Sequence, residues 1–112
     1  MPSFINKSFT LPRGQVIKNR ICKAAMTERI AKGNNLAHQG HVNLYERWAD
    51  GDIGILLTGN VQIDRRNLEG PANVVIDSNN YKEQLDDLKA WSAAGTKNNT
   101  QLWMQISHAG RQ

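Results

Sequence analysis

Three stretches of this sequence end an apolar run with side chains that can hold a ligand. Ala25-Met26-Thr27 closes a run that begins at Arg20. Gly59-Asn60 closes a second run that begins at Ile53, and Gln105 lies near the end of a third, just before Ser107-His108-Ala109-Gly110-Arg111. Thr27 brings a hydroxyl. Asn60 and Gln105 bring carboxamides, which donate and accept at once. His108 and Arg111 follow in a polar loop. Other chemistry-bearing residues fit no constellation. His38 and His41 are three apart, as two metal ligands on a helix can be, but no carboxylate or third ligand pairs with them, so no metal site is expected. Cys22 falls inside the first expected strand and reads as a small buried residue, not a redox centre. Gly51 and Gly54 lack the third glycine of a dinucleotide fingerprint.

The elements that must position these residues alternate. A short hairpin is expected from Phe9 to Ile17 around the turn Pro12-Arg13-Gly14. RICKAAM, Arg20 to Met26, reads as a strand, and Thr27 to Gln39 as a long polar loop. A helix is expected from His41 to Asp50, with Val42, Tyr45 and Ala49 as its apolar stripe and Trp48 beside them. Gly51 stops it. Ile53 to Asn60 is apolar throughout, as a strand buried on both faces is. Val61 to Ser78 reads as a loop carrying Arg65, Arg66, Gly70 and Pro71. A second helix is expected from Asn80 to Gly95. Asn80 and Glu83 would form its capping box, and Tyr81, Leu85, Leu88 and Trp91 its inner face. QLWMQIS, Gln101 to Ser107, alternates: Leu102, Met104 and Ile106 share one face, and Gln101, Trp103, Gln105 and Ser107 the other. Strands alternating with helices imply parallel pairing through right-handed crossovers. In such folds chemistry collects at the carboxyl ends of the strands, where Met26-Thr27, Gly59-Asn60 and Gln105 to Arg111 stand.

Composition narrows the class. With 112 residues the chain is one domain, 1–112, and its 39% hydrophobic and 21% charged content suits a globular protein with a modest core. No apolar run approaches the roughly 18 residues that span a membrane. MPSFINKSF lacks a basic stretch followed by an apolar core, so no secretory signal and no membrane partner are expected. A single cysteine excludes an internal disulfide and fits a reducing, cytoplasmic compartment. Asn6-Lys7-Ser8 and Asn98-Asn99-Thr100 then match the glycosylation pattern by chance. The net charge of +4 is concentrated before residue 33. The basic residues there are spaced out, lack interleaved aromatics and include Pro12, so they read as a solvated edge and no nucleic-acid partner is expected.

The three strand-end segments together resemble the Old Yellow Enzyme family of FMN-dependent oxidoreductases, which includes the enoate and dienoyl-CoA reductases. The matching residues are Lys18-Asn19-Arg20-Ile21 leading into Ala24-Ala25-Met26-Thr27, then Leu57-Thr58-Gly59-Asn60-Val61, then Gln105-Ile106-Ser107-His108-Ala109-Gly110-Arg111. They occur in the family's order and spacing over essentially the whole chain. The resemblance implies an α/β fold, the first three βα units of a TIM (β/α)8 barrel preceded by a hairpin. It implies FMN across the carboxyl-terminal mouth, with NADH or NADPH as reductant and an enone or enoyl substrate. Backbone at Ala25 and Met26 would run along the flavin. Thr27 would lie near its O4 and N5 edge, marking the subgroup with Thr where other members carry Cys. Asn60 would follow the second strand. Gln105 would point inward and meet the pyrimidine edge, while the apolar row of its strand faces the helices. His108 and Arg111 would lie near flavin or substrate.

A (β/α)8 barrel needs roughly 250 residues, so this sequence supplies three-eighths of one. The family's His/His or His/Asn substrate pair, its proton-donating Tyr and its phosphate-holding loops belong to later strands. No catalytic residue is therefore assigned among these 112 residues, which alone are expected to bind FMN weakly or not at all. Two readings stand. In one the chain is the N-terminal portion of an FMN-binding, NAD(P)H-dependent oxidoreductase of activated C=C bonds. In the other it is a truncated, non-catalytic paralogue that acts as an interaction module through its open sheet edges. A homo-oligomer or a partner chain could cover those edges.

Overall fold

The computed structural model describes residues 4–110. A 3-10 turn, Phe4–Asn6, leads into the expected hairpin, β1 (Phe9–Thr10) paired antiparallel with β2 (Val16–Ile17). The Leu11 carbonyl accepts from the Gly14 amide, and Gly14 takes φ 90°, which a residue without a Cβ adopts at little cost. The rest is an α/β unit: β3 (Cys22–Lys23), α1 (Gln39–Ala49), β4 (Ile55–Gln62), β5 (Val74–Val75), α2 (Leu85–Gly95) and β6 (Gln101–Ser107).

All pairings to β4 are parallel. Both β3 and β6 register with Ile55 and Leu56, and both β5 and β6 with Val61 and Gln62. It follows that β6 runs along one edge of β4 while β3 and β5 divide the other. β4 is thus the central strand, as its apolar run predicts, displaced two residues toward the C-terminus. One irregularity matters for function. From the pair Leu57–Trp103 to the pair Asn60–Gln105, β4 advances three residues and β6 two. This β-bulge turns Asn60 to the same face as Gln105, a position that Gly59 would otherwise hold. Thr58 absorbs the irregularity: its hydroxyl accepts from the Gln105 amide at 3.0 Å and donates to the Gly59 carbonyl at 2.8 Å.

The helices cover one sheet face. Tyr45, Leu56, Val61, Val74 and Trp91 form the buried core with Ala37. At Gly95 an added Cβ would stand 2.5 Å from Leu102, so the end of α2 lies tight on β6.

Several expectations are corrected. The first strand shrinks to two residues, and Cys22 is exposed, not buried, because alternation along β3 turns Lys23 toward Trp48 of α1 and Cys22 to the opposite face. Val74 and Val75, expected in a loop, form β5 and fill the edge that β3 leaves free. The second helix begins at Leu85, and Asn80 does not cap it. Asn80 is fully buried and turns sideways, donating to the carbonyls of Val75 at 2.9 Å and Asn34 at 3.0 Å. Tyr81 and Leu85 consequently face out, while Leu88 and Trp91 face in. On β6, Leu102 and Met104 line a cleft against α2, but Ile106 stays 67% exposed.

The two histidines cap α1. The Gly40 amide donates to His38 Nδ1 at 3.1 Å, and the His38 amide donates to His41 Nδ1 at 3.2 Å. With Nδ1 accepting, the His38 Nε2 hydrogen points to the Ile30 carbonyl, 2.6 Å away. Protonating His41 at Nδ1 removes the acceptor of the His38 amide. Burial holds the His41 pKa below its ordinary value, and Glu28 and Asp87 oppose this shift; the His38 side chain adds to it, while the His38 backbone amide opposes it. Folded His41 therefore binds a proton less readily than unfolded His41. The stabilisation is complete above the ordinary value near 6.5 and is lost as pH falls below it toward the lower folded pKa. Urea midpoints should accordingly fall between pH 7.5 and pH 5.5. His41→Gln, which keeps a capping acceptor but does not titrate, should flatten that slope. An unchanged slope in His41→Gln would contradict the assignment.

Candidate functional site

The site forms where the chain leaving β3 crosses the end of β4. Residues 26–28 lie directly on Gly59. A Cβ there would stand 2.5 Å from the Met26 carbonyl, 2.6 Å from Thr27 Cα and 2.5 Å from a Glu28 carboxylate oxygen. Only glycine permits this approach, since two of the three neighbours are backbone.

The approach brings three of the expected residues into one hydrogen-bonded line. The Asn60 amide donates to the Thr27 hydroxyl oxygen at 3.3 Å. The Gln105 carboxamide donates to Asn60 Oδ1 at 2.6 Å. The line leaves groups to spare: the Thr27 hydroxyl hydrogen, the Gln105 side-chain carbonyl oxygen and the Asn60 side-chain Nδ2 take no further partner among the described residues. Ala25 is half-buried beside them, and the Met26 side chain is 59% exposed while its carbonyl faces Gly59. Two donors and an acceptor thus stand along an open surface. That set can read a flat heterocycle with alternating carbonyl and N–H groups, such as the pyrimidine edge of a flavin.

His108 goes elsewhere. Its Nδ1 accepts from the Gly110 amide at 3.0 Å, and its Nε2 lies 3.4 Å from Asp64. Asp64 is held well below the usual carboxylate range, chiefly by Arg66, whose guanidinium donates to both carboxylate oxygens at 2.9 Å. Arg65 donates to both oxygens of Asp77, at 2.7 and 3.1 Å. These groups line a charged cleft beyond the ends of β4 and β6, and no described bond joins it to Thr27, Asn60 and Gln105. Arg111 lies outside the described residues. His38 and His41, weighed above as metal ligands, are engaged in the helix cap.

Two participants carry no signal as site residues in the sequence. Glu28 stands out there only as a lone acid among bases, and Tyr45 only as part of an apolar stripe. Tyr45 is fully buried; its hydroxyl donates to Glu28 and accepts from the Gly59 amide at 3.1 Å. Burial, reinforced by Glu28, pushes the phenol pKa up and favours the protonated form that donates to Glu28. Gln62, further along β4, is also fully buried, with neither amide atom paired among the described residues.

The contact at Gly59 has a direct mutational consequence. Gly59→Ala should destabilise the protein by about 1–3 kcal/mol, the range for overpacking against atoms that cannot retreat. Chemical denaturation measures it, and a change below about 0.5 kcal/mol, the range of an ordinary surface substitution, would show that the segments are not in rigid contact.

No family model matches the chain. Among curated proteins it is 36% identical over 107 residues to an NADH-dependent flavin oxidoreductase of Talaromyces variabilis, covering 95% of this chain and 26% of that protein. It is also 36% identical over 107 residues to a protein of the same description from Neonectria sp., covering 14% of it. A third, from Hypocrea jecorina, is 34% identical over 104 residues, covering 92% of this chain and 26% of that protein. The chain therefore spans about a quarter, or less, of the length of these relatives. Among solved structures, the Old Yellow Enzyme homologue of Zymomonas mobilis superposes with a TM-score of 0.81 at 20% identity, over 98% of this chain and 29% of its own. The Old Yellow Enzyme of Trypanosoma cruzi gives 0.82 at 19% identity, over 96% and 28%. No described helix is long and apolar enough to cross a membrane. Over nearly all of its length this chain is therefore similar in sequence to part of these NADH-dependent flavin oxidoreductases, and it shares the fold of the corresponding part of the Old Yellow Enzyme homologues.

Proposed function

We propose that residues 25–27, Asn60 and Gln105 form the ring-reading face of an FMN site in an NADH- or NADPH-dependent oxidoreductase, built on the first three βα units of a TIM barrel. The observation that carries this reading is the line Thr27–Asn60–Gln105 near the carboxyl ends of three strands, in which the bulge in β4 pairs Asn60 with Gln105. Ligands of open parallel α/β sheets and barrels bind at that end. The names of the curated relatives, which specify NADH and flavin, support the cofactor pair.

The residues present fit the group. The Gln105 carbonyl would accept from the ring N3–H, and the free hydrogens of the Gln105 and Asn60 amides would donate to its carbonyls. The Thr27 hydroxyl would donate to a heteroatom of the ring and favour negative charge there, which raises the flavin's potential. The chemistry FMN supplies when bound is hydride exchange between a nicotinamide and an activated C=C bond of an α,β-unsaturated carbonyl compound. The side chains named here orient the ring and stabilise its charge. The exposed outer edge of β6 and Ile106 would be covered by further strands of a complete barrel, or by a partner chain.

A reader of the ring alone should be indifferent to the phosphate. Isothermal or fluorescence titration should show riboflavin and FMN binding weakly, with dissociation constants within about threefold, since no phosphate contact separates them. Gln105→Ala should weaken both by about three- to tenfold, the loss of one net hydrogen bond. FMN binding far tighter than riboflavin would place phosphate recognition in this chain. Binding of neither would overturn the reading.

A further inference from the structure

We propose that Tyr45 and Glu28 are positioning residues: the Tyr45 hydroxyl, by bridging Glu28 and the Gly59 amide, clamps the segment after β3 onto β4 and so sets the spacing of Thr27 from the Asn60–Gln105 pair. The inference deepens the flavin reading above and rests on it for its ligand.

The geometry is that of two consecutive rungs. On β4, the successive amides of Gly59 and Asn60 donate to Tyr45 at 3.1 Å and to Thr27 at 3.3 Å. On the facing segment, the successive residues Thr27 and Glu28 hold the other ends, Thr27 directly and Glu28 through the Tyr45 hydroxyl. Backbone alone would not join these segments: β3 pairs with β4 only at Ile55 and Leu56, and β5 only at Val61 and Gln62. Among the described residues, 57–60 have no strand partner on that edge. The clamp occupies this gap.

Tyr45 suits the task because its ring is packed on both sides in the core. Its ring lies edge-on to Trp48 and Trp91, with centroids 5.0 and 5.3 Å away, and it is fully buried. A rotation of α1 would therefore be transmitted to residues 27 and 28 through one hydroxyl. Because the hydroxyl both donates and accepts, its two bonds reinforce one another, and losing it strands a carboxylate and an amide together.

The test uses the full chain and four proteins: wild type, Tyr45→Phe, Glu28→Gln and Glu28→Ala. Two quantities are read: amide hydrogen exchange at Gly59 by NMR, and riboflavin affinity. Tyr45→Phe keeps the ring packing and removes only the hydroxyl. It should speed Gly59 exchange by roughly tenfold or more, and weaken riboflavin by about three- to tenfold. Glu28→Gln still accepts from the phenol, so both readouts should return to within about twofold of wild type, a rescue that Glu28→Ala should fail to give. If Tyr45 acts only through ring packing, Tyr45→Phe will match wild type in both, and the proposal is overturned. Faster exchange with unchanged affinity would overturn the positioning role. Should Tyr45→Phe not fold, the contrast between Glu28→Gln and Glu28→Ala decides the same question. If wild type binds no riboflavin, the flavin reading fails, while the exchange data still decide whether the clamp exists.

Discussion

The site depends on a missing methyl group. Gly59 lets the chain after β3 cross the end of β4 at a distance that no side chain would allow. That crossing brings the Thr27 hydroxyl and the Asn60 and Gln105 carboxamides together. The elements around it hold the crossing in place. β4 is central and rigid, paired on both edges near its ends. α1 reaches the crossing through Tyr45, and the cap of α1 is tied through His38 to the Ile30 carbonyl, three residues past Thr27. One buried phenol thus connects helix, loop and strand.

A second device is the bulge. In a regular parallel ladder Gln105 would face Gly59 and have no side chain to meet. The extra residue in β4 replaces that glycine with Asn60, while Thr58 keeps the Gln105 amide bonded. Close approach and side-chain pairing make opposite demands on one strand end. The bulge satisfies both, giving glycine to one neighbour and asparagine to the other. Bulges near functional sites commonly re-aim a side chain in this way.

Much of this was legible in the sequence, and the exceptions have physical causes. Strong periodicity made β6 and α1 readable to within a residue or two, and the apolar run made β4 readable. Thr27, Asn60 and Gln105 could be picked as strand-end polar residues. Their mutual bonding could not, because it depends on a register shift that leaves no local sequence signal. Asn80 and Glu83 had the spacing of a capping box, yet tertiary contacts won: the buried Asn80 side chain donates to the Val75 and Asn34 carbonyls instead. β5 is two valines inside a polar segment, too short to show a period. Glu28 and Tyr45 were invisible as a pair because they lie 17 positions apart, and a tyrosine on an apolar stripe looks like packing. His108, read as a mouth residue in the loop after β6, contacts Asp64 across 44 positions, a partner with no local signal in the sequence.

The account makes one central claim, that Asn60 and Gln105 present their amides to a flavin ring. The most direct measurement is an NMR titration of the labelled protein with riboflavin, following the side-chain NH2 resonances of asparagine and glutamine. Those of Asn60 and Gln105 should shift together with the backbone amides of Ala25, Met26 and Thr27, and those of the buried Asn80 and Gln84 should stay still. Shifts confined to other residues, or none at saturating riboflavin, would contradict it.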